Sequence, residues 1–207
     1  SLLSLYRKAV TVAVEAKRLG RRITGLSRLA INLEVLAYRQ NENRQVFPIL
    51  GKELQRIAHL IEEATEKLAT GTNDLAAHAV ASAGLARHCE KFLNGALLSQ
   101  VEKNHQWMHE VRQQQGRCFF KTLEAMNHEI ITAFQAMNEL ERISIHIPVV
   151  ATLLKIESAK CGQGGSEEIR ALSLRLVAMG DILGKDLATI LDTVKECMQL
   201  LNSFSED

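Results

Sequence analysis

Proline, aromatic side chains and long apolar runs are all scarce in this chain. Two prolines and an aromatic content of 4 % in 207 residues leave little material for sheet faces and favour helix. No run of about 18 uncharged apolar residues is present, so no membrane span is expected. The N-terminus lacks the pattern of a signal peptide. Neither sign of charge dominates: 25 basic against 24 acidic residues leave a net +1. That balance gives no electrostatic footprint for nucleic acid or an anionic membrane. The four cysteines, Cys89, Cys118, Cys161 and Cys197, form no CxxC pair, so a reducing cytoplasm is the expected compartment. No phosphate loop, EF-hand or zinc knuckle occurs. His88 and Cys89 are neighbours in the chain and point about 100° apart on a helix, the wrong geometry for a nucleophilic dyad. No enzyme is expected, and no cofactor.

What the chain has instead is an apolar residue alternately every third and fourth position. Leu2, Leu5, Ala9, Val12, Ala16, Leu19, Ile23, Leu26, Ala30, Leu33 and Ala37 hold this spacing without a miss. The mean period of about 3.5 is the coiled-coil repeat, so one seam must face partner helices along its whole length. A second seam runs from Phe47 through Leu54, Ile61, Leu68, Gly71, His78 and Ser82 to Phe92. A third runs from Phe119 through Met126, Ala133, Leu140 and Ile147 to Ser158, and a fourth from Ile169 to Phe204. In the fourth, Met179, Leu183 and Leu187 are each four apart, a stutter that relaxes the supercoil locally.

Four seams of similar length predict an all-α, elongated antiparallel four-helix bundle made of two long hairpins. The first hairpin covers about 1–93 and the second about 118–206. Asn94-Gly95 and Gln115-Gly116-Arg117 read as breaks, which makes about 96–115 a short helical connector. The polar run Gln40–Asn43 closes one arm, and Gly162–Gly165 closes another, with Ser166 as an N-cap for the last. Pro148 falls inside the third seam and should kink it, because it has no N–H for the carbonyl of residue 144. The same seams serve a monomer or a homodimer with exchanged arms.

Both hairpin tips carry residues that resemble the cytoplasmic signalling hairpin of bacterial methyl-accepting chemotaxis receptors. The first has Ile31-Asn32, Val35, Ala37, Arg39, Glu42, Phe47, Glu53, Arg56 and Ile57-Ala58 at the spacing of that family's tip. The second has Ile156-Glu157-Ser158-Ala159-Lys160 and Gly162, similar to its Ile-Glu-Ala-Ala-Arg-x-Gly run. Asn41, Arg44 and Val46 stand where the family has glycines. The resemblance implies a non-enzymatic signalling or scaffold module that binds proteins at its tips, in that family a histidine kinase and its coupling adaptor. The residues it assigns to partner binding are Arg39, Glu42, Arg44, Phe47, Glu53, Glu157 and Lys160.

Two rival readings rest on histidines. The segment Met126-Asn127-His128-Glu129-Ile130-Ile131-Thr132-Ala133 resembles the phospho-accepting helix of sensor histidine kinases. His128 would be the nucleophile and Glu129 the base of a histidine phosphotransfer or dimerisation module. No nucleotide-binding segment follows, so phosphate would have to come from a separate kinase. Glu102, His105 and His109 recur at helical spacing and place three potential metal ligands on one face. Di-iron bundles need two such sets facing inward, and here there is one.

Overall fold

The computed structural model describes residues 1–39, 46–98, 105–160 and 166–204. Five helices follow in order: α1 (Leu2–Arg39), α2 (Val46–Leu98), α3 (His105–Ser144), α4 (His146–Lys160) and α5 (Ser166–Asn202). No strand occurs among the described residues. α3 and α4 form one arm interrupted at Ile145. α1 packs on α2 and α5, and the α3–α4 arm closes the ring by packing on α2 and α5 as well. One chain therefore supplies all four arms of the expected antiparallel bundle. At about 1.5 Å per residue the longest helix, α2, with 53 residues, is about 80 Å long.

The seams are the core. Leu5 through Leu33 of the first seam are all buried, at 7 % exposure or less. On the second, burial runs from Phe47 to Ser82, with His78 half-buried, and on the third from Leu123 to Ser158, with Ser144 half-buried. The fourth is buried from Ile169 to Leu201, and Met179, at the stutter, is the half-buried exception. A second row of small residues on α2, including Ala58, Thr65, Ala69, Thr72, Ala76 and Ala79, is buried beside its seam. Small side chains there allow α1 to approach closely. A Cβ on Gly51 would meet the Glu34 side chain at 2.9 Å and the Ala30 carbonyl at 3.4 Å.

The connector expected over 96–115 is not a separate element. α2 continues through Asn94 and Gly95 to Leu98, and Gly116 lies inside α3. The reason is energetic: a glycine inside a helix costs about 1 kcal/mol. Breaking the helix there would forfeit several backbone hydrogen bonds among good helix formers such as Leu97, Leu98, Arg112 and Gln113. α2 ends at Leu98 and α3 begins at His105, and residues 99–104 between them lie outside the described residues. Pro148 has the expected effect, since the arm breaks at Ile145, just upstream of the ring. Across from it lies Gly180, whose missing Cβ leaves room for Ile147 Cγ2 at 3.5 Å and the Pro148 ring at 3.9 Å.

Buried hydroxyls are satisfied by carbonyls. Thr72 Oγ1 donates to the Leu68 carbonyl at 2.7 Å, Ser158 Oγ to Lys155 at 2.8 Å, and Ser173 Oγ reaches across to Ala151 of α4 at 2.9 Å. Ser82 differs: it is fully buried on the seam, and its Oγ has no partner. Replacing it removes a desolvated hydroxyl and leaves a methyl in an apolar environment. Ser82→Ala is expected to raise unfolding stability by about 1–2 kcal/mol in urea denaturation. A loss of similar size would show that the hydroxyl has an acceptor.

Candidate functional site

The helix ends flanking both tips lie together. A groove of about 350 Å³ between the end of α1 and the start of α5 is lined by Asn32, Val35, Leu36, Glu168, Leu172 and Arg175. With α1 paired to α2 and α4 to α5, the end of α1, the start of α2, the end of α4 and the start of α5 share one end of the rod. Around this end large apolar side chains face outward: Ile31, Val35, Val46, Ile49, Val149, Leu153, Ile156, Leu174 and Val177. These are nine of the seventeen exposed large hydrophobics among the described residues, so they concentrate here rather than scatter over the rod. They lie off the seams, where the bundle itself has no use for them.

The sequence-predicted tip residues divide into three groups. Glu42 and Arg44 lie outside the described residues, as does the side chain of Arg39 at the end of α1. Phe47 is not on the surface. It is 2 % exposed in the core, where it anchors the entry of α2 as the first residue of the second seam. Glu53, Glu157 and Lys160 are on the outside of the bundle and engaged in ion pairs. Arg56 donates to both carboxylate oxygens of Glu53, from Nε at 2.9 Å and from Nη2 at 2.6 Å. This bidentate contact, with help from the charges of Arg56 and His146, holds the Glu53 carboxyl below its ordinary pKa despite partial desolvation. Lys160 donates to Glu157 at 2.6 Å. Composition alone does not single out the exposed apolar set, but its positions off the 3-4 seams are readable.

His128 is exposed on α3, and Thr132 Oγ1 donates to its carbonyl at 3.0 Å. The adjacent α2–α3 groove holds Glu63, Glu66 and Glu129 with Lys67, Thr70 and Thr132, around an open volume of about 510 Å³. Three carboxylates against one ammonium oppose the approach of a phosphoryl group. For the metal reading, Glu102 lies outside the described residues, as does the side chain of His105, which opens α3. His109 is exposed beside Arg112, Gly116, Arg117 and Phe120. Among the described residues no three His, Cys, Asp or Glu side chains gather in a metal-binding group.

No described helix is long and apolar enough to cross a membrane. Comparison with protein-family models, curated proteins and solved structures finds no match to this chain.

The described thiols differ in reactivity. Cys118 is exposed, Cys89 half-buried and Cys197 buried. Burial pushes the Cys197 thiol up to about 11 from an ordinary value of 9.0, against the opposing charge of Lys8 and with that of Glu196. Because the folded value is the higher one, the thiol's contribution is fully present below pH 9. It is lost as pH rises toward 11, where the unfolded thiolate is favoured. Unfolding stability is expected to fall by about 2 kcal/mol more in the native chain than in Cys197→Ala between pH 9 and 11. Equal pH profiles of the two proteins in urea titrations would contradict this.

Proposed function

We propose that this protein is a non-enzymatic signalling or scaffold module, similar to the chemoreceptor signalling domain, that binds partner proteins at its tip end. The observation that carries the reading is the concentration of exposed apolar side chains at the tip end of the rod. Exposed apolar side chains interspersed with charged ones such as Glu168, Arg175, Lys160 and the Glu53–Arg56 pair have the composition of a protein interface. Val35 and Leu174 are the anchors, while Glu53 and Lys160 set orientation. Phe47 contributes from below by holding α2 in register. The partners fitting the tip resemblance are a histidine kinase and its coupling adaptor.

The mechanism is conformational. A bundle whose seams are continuous transmits small changes in helix packing along its length, because close-packed cores shift between discrete arrangements. The site of easiest change lies between the tips and the far end, where three irregularities meet. Gly25 faces Met179 at the stutter, its missing Cβ 3.3 Å from the methionine methyl, and Gly180 faces Pro148 next to the Ile145 break.

The exposure of His128 keeps the phosphotransfer reading as a second one. Its acidic surroundings count against it.

The test mixes the chain with a receptor-coupled histidine kinase and its adaptor, and follows complex formation and kinase phosphorylation. A complex is expected that alters kinase activity and that Val35→Asp with Leu174→Arg weakens at least about tenfold at unchanged melting temperature. Absence of any complex, or a complex that the double variant leaves intact, overturns the reading. Radiolabel appearing on His128 would establish the second one.

A further inference from the structure

A strict alternation of three and four after Met179 and Leu183 would bring residue 186 onto the fourth seam. Residue 186 is Asp, and the seam steps to Leu187 instead. Asp186 forms an ion pair with Arg22 of α1, both side chains being partly buried. One turn nearer the tips, α1 presents Gly25, whose missing Cβ stands 3.3 Å from the Met179 methyl. On the outer side of the α1–α5 contact, an ion pair and a glycine thus replace interlocking aliphatic side chains.

The space left is a groove of about 570 Å³, and small-molecule sites span about 300–1,000 Å³. Gly25, Met179 and Leu183 make it apolar, and Ile182, 47 % exposed, adds an aliphatic side chain from the outside. Its polar lining is Arg22, Lys185 and Asp186. The groove lies in mid-rod. Gly20 packs on Thr65 of α2 and Gly180 on Pro148 of α4 close by, so all four arms pass this level. The groove therefore owes nothing to where any helix ends.

Charge selects the sign of an occupant. Between residues 17 and 28, α1 carries Lys17, Arg18, Arg21, Arg22 and Arg28 and no acidic residue. At the same level α5 adds Lys185 against Asp181 and Asp186. Asp186 is already matched by Arg22, which spends one of its five N–H donors there. Lys185 has no ion-pair partner among the described residues. The groove between α2 and α3, on the opposite side of the ring, holds Glu63, Glu66 and Glu129. A nearly neutral chain thus has one basic flank and one acidic flank, and the apolar groove opens on the basic one. Apolar lining beside uncompensated cationic donors complements a molecule with an apolar body and one anionic group.

We propose that this mid-rod groove binds a small amphipathic anion, an organic acid with an apolar body. The body lies over Gly25, Met179 and Leu183 and against Ile182. The acid group meets the Lys185 ammonium and the remaining N–H groups of Arg22. An occupant fills the gap beside Met179 and holds the looser section of the rod in one packing. The site is separate from the tip patch and does not rest on the tip reading.

The test uses the full chain and dodecanoate below its micellar concentration. Dodecanol and dodecyltrimethylammonium serve as neutral and cationic probes of the same chain length. Binding is read by titration calorimetry and by the rise in melting temperature that a ligand of the folded state produces. Dodecanoate is expected to bind once per chain, and the neutral and cationic probes at least about tenfold more weakly. Gly25→Leu, which fills the groove, and Ile182→Glu should each weaken dodecanoate at least about tenfold, and Lys185→Glu about threefold or more. Ile182 and Lys185 are exposed, so their variants keep the test valid even where Gly25→Leu disturbs α1. Absent binding of dodecanoate, equal binding of the three probes, or binding undiminished in both Ile182→Glu and Lys185→Glu overturns the proposal. Binding that Gly116→Leu abolishes and Ile182→Glu leaves intact assigns the acid to the α2–α3 groove and overturns it too. Capture by phosphatidylglycerol vesicles without binding of free dodecanoate assigns the basic flank to a membrane and overturns it equally.

Discussion

Everything in this molecule depends on keeping four apolar seams in mutual contact along their length. A helix with 3.6 residues per turn drifts against a repeat of 3.5, so the arms must coil around one another to stay in register. That requirement fixes which positions are core and which are free. Seam residues from Leu5 to Leu33, and from Ile169 to Leu201 apart from Met179, are buried, and each fully buried aliphatic side chain contributes on the order of 1.5–3 kcal/mol. Polar residues enter this core where a carbonyl can accept their proton. Ser173 is the clearest case, since its bond to Ala151 joins α5 to α4. Ion pairs between arms, Lys8 with Glu196 and Arg22 with Asp186, decorate the outside and add little by comparison, being partly exposed.

The same constraint explains where the packing is poorest. A four-plus-four step at Met179–Leu183–Leu187 throws the seam out of phase, and Met179 rises to half-burial. A groove of about 570 Å³ opens beside it, lined by Arg22, Gly25, Ile182, Leu183 and Asp186. On the facing arm the helix is interrupted at Ile145. Met179 is in contact range of Gly25, and Gly180 of Pro148, so these irregularities lie at one level. Methionine suits such a place, since its unbranched chain fills an irregular gap in more than one rotamer. The rod is two well-packed lengths joined by a looser section.

Periodicity made the arms and the core legible, because a seam needs only apolar spacing to be recognised. The ends of the arms were less legible, and the cause is specific. Asn94-Gly95 and Gln115-Gly116-Arg117 carry the residues of turns, yet both lie within helices. Glycine marks a turn only when the flanking sequence cannot sustain a helix at a cost of about 1 kcal/mol. At Gly162–Gly165, where glycines cluster, α4 does end at Lys160 and α5 begins at Ser166 with Glu167 and Glu168 in its first turn. The candidate site divides in the same way. His128 sits off the seam and is exposed, as its position requires. Phe47 matched a surface motif and also began a seam, and the seam prevailed. Of the outward apolar residues near the tips, Ile31, Val35 and Ile156 belong to the tip resemblance, while the others match no motif and show only as apolar positions off the seams.

Exposed apolar side chains gather at the tip end of the rod, and a groove between α2 and α3 lies at the other. For occupancy of one end to be felt at the other, a ligand must bind two packings of the bundle with different affinity, and equal affinity shifts nothing however tight the binding. The interior of each well-packed length cannot supply the second packing cheaply. Displacing Leu5 or Leu33 from the seam, both fully buried, would open cavities costing on the order of 2–5 kcal/mol each. The level of Gly25, Ile145, Met179 and Gly180 can, because its gap is already open and its backbone bonds are already interrupted. Both arms of the α1–α2 hairpin and both of the other pass through that level, so a change there re-aims the helix ends at the tips without unpacking either length. This makes the loosest section of the rod the part through which its two ends can communicate.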